Sequence, residues 1–137
     1  MRKAINAMDW IEGGTRTDRA LNQAMTQLFT EQGGDRPTVP NFLILLTNGK
    51  SENPRGVVNS AKALRDQAKV TIVAIGIGNQ IDMRELRSVA TTNNEVINVR
   101  SYPTLKMRVG QIREKICEGK LAKLLLCTLQ VCGHTKY

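Results

Sequence analysis

The sequence predicts an α/β fold: a doubly wound, Rossmann-like parallel sheet with helices on both faces. Three observations predict it. The runs Phe42-Leu43-Ile44-Leu45-Leu46 and Val70-Thr71-Ile72-Val73-Ala74-Ile75 are near-continuous apolar stretches, as expected of strands covered on both faces. Between and after them, apolar residues recur at helical spacing. Each strand-like run stops at a glycine turn signal, Thr47-Asn48-Gly49 or Gly76. A length of 137 residues holds at most one small domain. The 41% hydrophobic and 23% charged content excludes a disordered tail or a fibrous chain.

Taken in order, Ala4, Ile5, Met8 and Ile11 predict a first helix that breaks at Gly13-Gly14-Thr15-Arg16-Thr17. Thr17 is expected to cap the next helix with Asp18 in its first turn. Ala20, Leu21, Ala24, Met25, Leu28 and Phe29 mark its buried face until Gly33-Gly34 ends it. Asp35 to Pro40 reads as a surface loop leading into the Phe42–Leu46 strand. Val57, Ala61, Leu64 and Ala68 predict the following helix, and Val70–Ile75 the second strand. Met83, Leu86, Val89 and Ala90 line a third helix, Val96-Ile97-Asn98-Val99 forms a third strand, and Leu105, Val109, Ile112 and Ile116 stripe a last amphipathic helix. Such alternation implies right-handed crossovers, with ligands bound at the carboxyl ends of the strands.

Charge is unevenly placed. The 20 Lys and Arg against 12 Asp and Glu leave a formal +8, of which residues 100–137, with 8 basic and 2 acidic side chains, hold +6. Lys106, Arg113 and Lys120 fall on one flank of the last helix's apolar stripe and Arg108 and Lys115 on the other, so no single basic face forms. Solvated charges beside a packed helix are the expectation there. With 4% aromatic residues and no stacking motif, nucleic acid is not an expected partner. No apolar run approaches the roughly 20 residues of a membrane span, and the first residues lack the apolar stretch of a secretory signal.

Gly13-Gly14-Thr15-Arg16-Thr17-Asp18-Arg19-Ala20-Leu21, the strand ending Thr47-Asn48-Gly49, and Val73-Ala74-Ile75-Gly76-Ile77-Gly78-Asn79 followed by Glu85-Leu86 together resemble the von Willebrand factor type A domain. The resemblance is closest to its extracellular matrix branch, the matrilin-like and collagen-associated domains, and covers about residues 1–118. It implies a secreted, extracellular adhesion module with matrix proteins such as collagens as partners. It also implies a metal-ion-dependent adhesion site, where Mg²⁺ or Mn²⁺ held by hydroxyls and few carboxylates recruits an acidic group of the partner. Onto this sequence the turn threonine carries over as Thr15, and the family's Thr-Asp-Gly appears with Asn48 in place of the aspartate. The Asp-x-Ser-x-Ser motif that follows the family's first strand is absent. A weak or lost cation site is therefore expected, with Thr15 and Asn48 as its degenerate remainder.

The same comparison predicts a chain that lacks the first three strands, a partial domain over 1–118 followed by an unassigned tail over 119–137. Its apolar first strand would then be an exposed edge with an uncovered flank, in a fragment of poor stability. Matrix-type domains often pair the cysteine matching Cys117 with one ahead of the first strand; the alternative is a free, half-buried thiol. Cys127 and Cys132 lie in the tail, which matches nothing in the family. It reads best as translated non-coding sequence, ahead of a further module or an extended helix.

An enzyme is not expected. Gly76-Ile77-Gly78 lacks the third glycine of a dinucleotide site, the single His134 lies in the tail, and Asp82 with Glu85 reads as an amino-terminal capping pair. The alternative function is a metal-independent basic module binding a sulfated, heparin-like polysaccharide.

Overall fold

The structure, a computed structural model, describes residues 13–121, with side chains through Glu114, together with residues 3, 7 and 9. The helix expected over Ala4, Ile5, Met8 and Ile11 lies outside the described residues, as do Cys127, Cys132 and the tail beyond Leu121. The elements are α1 (Thr17–Gln23, continued by a π-turn over Ala24–Leu28), β1 (Asn41–Thr47), α2 (Pro54–Asp66), β2 (Val70–Ile77), α3 (Met83–Val89), a 3-10 turn at Asn93–Glu95, β3 (Val96–Val99) and α4 (Tyr102–Leu121). The strands form one parallel sheet in the order β1-β2-β3. Leu43 stands opposite Ile72, Leu46 opposite Ile75, and Ile75 opposite Ile97.

Alternation along the strands assigns each face its cover. Ile72 packs with Val57, Ala61 and Leu64 of α2, Leu21 of α1 and Val89 of α3; all six are nearly or fully buried. Ala74 meets Leu86 and Ala90 of α3. On the opposite face Val73, Ile75 and Ile77 join Ile97 and Val99 of β3 under Leu105 and Ile112 of α4. Helices therefore lie on both faces of the parallel sheet, as the sequence predicts.

Polar groups close the seams between these elements. Arg65 of α2 donates from one guanidinium nitrogen to the carbonyls of Ser88, Val89 and Ala90, at 2.9, 2.6 and 3.3 Å. A cation thus meets the negative end of α3 and joins it to α2. Where β3 has not yet begun, Thr91 serves as β2's neighbour. Its hydroxyl accepts from the Ile72 N–H at 2.8 Å and its own N–H donates to the Ile72 carbonyl at 3.1 Å.

Several local expectations are corrected. Arg16, not Thr17, occupies the cap position of α1; Thr17 is already helical, is buried and makes no capping bond. The π-turn rotates the end of that helix, so Leu28 stands 61% exposed and Ala20 is also exposed, while Met25 and Phe29 stay against the core. The helical segment stops at Leu28, and Gly33-Gly34 belongs to the turn beyond it. β2 continues through Gly76 to Ile77, because a side chain at Gly76 would collide with Ile81 and Leu86, and its absence lets the strand pass beneath them. Val109, expected within the packed stripe of α4, is 55% exposed.

Among the described residues β1 pairs on one side only, with β2, and its Ile44 and Leu46 are exposed on the face that α4 covers further along the sheet. The expected uncovered flank is present at these two residues. The core assignment is checked by urea unfolding. Leu64→Ala, at a fully buried position, is expected to lower the unfolding free energy by about 2–5 kcal/mol, whereas Leu28→Ala should change it by less than about 0.5 kcal/mol.

Candidate functional site

The carboxyl ends of the strands gather four short segments: the 13–16 turn ahead of α1, the 48–53 loop after β1, the 78–82 loop after β2, and the 100–101 link from β3 into α4. The first two are tied together by backbone. The Thr15 carbonyl accepts from the Glu52 N–H at 3.0 Å and from the Ser51 hydroxyl at 3.2 Å. Ser51 in turn is held by α3, since its N–H donates to both carboxylate oxygens of Glu85, at 3.2 and 3.3 Å.

A second set of bonds fixes the start of α1 to the start of α2. Asn53 caps α2 ahead of Pro54, its Oδ1 accepting from the Gly56 N–H at 3.1 Å. Its other atom, Nδ2, donates to Asp18 at 2.9 Å. Asp18 also receives a two-pronged contact from Arg16, Nε at 2.9 Å and Nη2 at 2.8 Å. Arg16 holds the Asp18 carboxyl well below the usual carboxylate range, with Asn53 adding to the effect. Burial pushes the Glu85 carboxyl up, against the lowering effect of the Ser51 N–H.

Thr15 is half-buried on this scaffold, and its hydroxyl makes no hydrogen bond with a described residue. A methyl group placed on Gly49 would stand 3.7 Å from that hydroxyl oxygen, so Thr15 lies against the residue next to Asn48. Asn48 itself is exposed. The neighbouring Thr47 hydroxyl is occupied within its own turn, donating to the Gly49 carbonyl at 3.0 Å and accepting from the Gly49 N–H at 3.3 Å. Asp82 caps α3 as expected, accepting from the Arg84 and Glu85 N–H groups, and stands 3.9 Å from the Lys50 ammonium. Glu85, expected as its partner in a capping pair, is instead spent on the Ser51 backbone.

A divalent cation of the Mg²⁺ type requires several hard oxygens including carboxylate. Around Thr15 and Asn48 the described residues offer a hydroxyl, a neutral amide and one exposed carboxylate, that of Glu52, which lies against Gly14. Asp18 is committed to Arg16 and Asn53, Asp82 to its cap and Lys50, and Glu85 to Ser51. Among the described residues no group of three or more His, Cys, Asp or Glu could hold a metal ion. These residues by themselves do not fit a tightly bound cation.

The class of protein follows from the parallel sheet, its threonine turn and its Thr-Asn-Gly corner, and sequence comparison agrees. The profile of the von Willebrand factor type A domain matches residues 1–111, and the chain belongs to that family. Matrilin-3 of Gallus gallus is 30% identical over 129 residues, covering 90% of this chain and 28% of its own length. Collagen alpha-4(VI) chain of Mus musculus is 31% identical over 120 residues, covering 88% of this chain and 5% of its own. Among solved structures, proximal thread matrix protein 1 from the mussel byssus, with a zinc-occupied MIDAS motif, superposes with a TM-score of 0.79 at 29% identity. That match covers 85% of this chain and 30% of the other. The chain thus spans less than a third of these relatives. The relatives are extracellular matrix proteins, and no described helix here is long and apolar enough to cross a membrane.

Sequence reasoning singled out Thr15, Asn48 and Asp82 but missed the roles of Arg16, Ser51 and Asn53. Asn53-Pro54 carried a legible signal, a cap residue followed by proline at the first helical position. Ser51 carried none, because its partner Glu85 is 34 residues away.

The Asp18 cluster has a defined pH signature. Its carboxyl is depressed in the folded state, so its stabilisation is present above the unfolded pKa near 4 and is lost as pH falls through the lower folded value. Asp18→Asn is expected to lower the urea midpoint at neutral pH, with the gap from the parent chain closing as the pH is brought down past the ordinary carboxylate range. A gap that stays constant with pH would contradict the assignment.

Proposed function

We propose that this chain is a non-catalytic adhesion module that binds proteins of the extracellular matrix, collagens among them, through the loops at the carboxyl ends of its strands. The observation that carries the reading is the placement of Thr15 against the Thr47-Asn48-Gly49 corner, on a turn held by the Thr15 carbonyl. Membership of the family and the matrix proteins among its relatives support it. The Thr15 hydroxyl and the Asn48 amide are the remainder of the family's metal-ion-dependent adhesion site. An amide in place of a carboxylate keeps one oxygen donor but removes a negative charge, so affinity for Mg²⁺ or Mn²⁺ is low. On this reading the module acts outside the cell.

Binding of the 137-residue chain to immobilised collagen tests the proposal. In millimolar Mn²⁺, Thr15→Ala is expected to weaken binding by about fivefold or more, and chelator to reduce it similarly. Binding that ignores both changes yet vanishes at about 0.5 M salt would overturn the reading in favour of diffuse electrostatic attachment. Restoring the charge has its own readout. Asn48→Asp should raise Mn²⁺ affinity by about tenfold in calorimetry, and an unchanged affinity would remove Asn48 from the site.

A further inference from the structure

At the far side of the same sheet end, the exit of β3 and the first turns of α4 enclose a cavity of about 430 Å³. Its polar lining residues are Asn79, Asn98, Arg100, Thr104 and Arg108. The Gly78 N–H donates to the Val99 carbonyl at 2.8 Å, so the exits of β2 and β3 are joined directly and the wall between Asn79 and Asn98 is built on paired backbone. The volume falls within the roughly 300–1,000 Å³ of small-molecule sites.

Two basic residues line this cavity without a counter-charge. Neither Arg100 nor Arg108 makes an ion pair or hydrogen bond with a described residue, and no carboxylate lines the cavity. Guanidinium groups remain charged at any physiological pH, and their planar forks match oxyanions. Asn79 and Asn98 likewise spend no side-chain hydrogen bond on the described residues, and Thr104 shares one with Ser101. The cavity thus offers two cations beside amides and a hydroxyl that both donate and accept.

We propose that this cleft binds a sulfated sugar unit of a glycosaminoglycan, with Arg100 and Arg108 holding the sulfate and Asn79, Asn98 and Thr104 the ring hydroxyls. A lone peptide carboxylate would engage one guanidinium fork and leave the amides unserved. A sulfated sugar presents both an oxyanion and hydroxyls, which is what the walls are built to meet. The cleft lies about 10 Å, two strand spacings, across the sheet from the exit of β1, and its chemistry uses no cation from the Thr15 and Asn48 corner.

The test is calorimetry of the full 137-residue chain with a size-defined heparin tetrasaccharide in the presence of chelator, which separates this site from the cation-dependent one. Arg100→Gln and Arg108→Gln are each expected to weaken binding by about fivefold or more, and the pair by about 25-fold. Lys106→Gln with Arg113→Gln, on the other flank of α4, should change it by less than about twofold. All four side chains are exposed, and circular dichroism of each variant checks that the fold is kept. Equal losses from both pairs would show a delocalised electrostatic effect and overturn the site. No binding by the folded parent chain, or a hexaglutamate peptide binding as tightly as the tetrasaccharide, would also overturn it.

Discussion

The double-sided burial of β2 is the constraint on which the other elements depend. Its Ile72 and Ala74 face α2 and α3, its Val73, Ile75 and Ile77 face α4, and its edges are taken by β1 on one side and by Thr91 and β3 on the other. Burying each large aliphatic side chain contributes about 1.5–3 kcal/mol, and on β2 this happens on both faces of one short strand. A parallel strand so covered requires crossovers, and these deliver every strand's carboxyl end to the same side of the molecule. The location of the candidate sites is a consequence of that geometry.

At that end the structure replaces apolar packing with a chain of committed polar groups. Glu85 holds Ser51, Ser51 holds Thr15, and Asn53 joins Asp18 to the cap of α2. Carboxylates drawn into this scaffold are not free to serve a cation. What is left for recognition at the β1 exit is a hydroxyl, an amide and the exposed Glu52 carboxylate, and at the β3 exit a pair of arginines. Those two corners therefore differ in chemistry: the first offers oxygen donors with a single free carboxylate and is suited to weak coordination, the second is cationic and suited to an oxyanion.

Much of the fold was legible because its signals are local. The strand cores Phe42–Leu46, Val70–Ile75 and Val96–Val99, and the buried faces of α2 and α3, follow from unbroken apolar runs and helical spacing. The candidate site was legible where a motif marked it, at Thr15 and Asn48, and at Asp82, whose cap bonds reach two and three residues along the chain. The end of α1 was not, because Leu28 and Phe29 look equally apolar and only the π-turn decides which one reaches the core. Nor was Val109, whose spacing on α4 puts it in the stripe although no described element covers it.

By itself the sequence determined the class of fold, the order of its helices and strands, the family, and the substitution of an amide for the family's carboxylate at Asn48. Those are properties of residue type and spacing, which act over one or two turns of chain. Only the tertiary structure decided that Glu85 is consumed by Ser51, that Arg16 locks Asp18, and that Arg100 and Arg108 meet Asn79 and Asn98 around one cavity. The first and last of these join residues that the crossovers bring together from distant parts of the chain, and the Arg16 and Asp18 pair, only two residues apart, is completed by Asn53, 35 residues away from Asp18. Sequence periodicity carries no information about which distant partner a polar side chain will find.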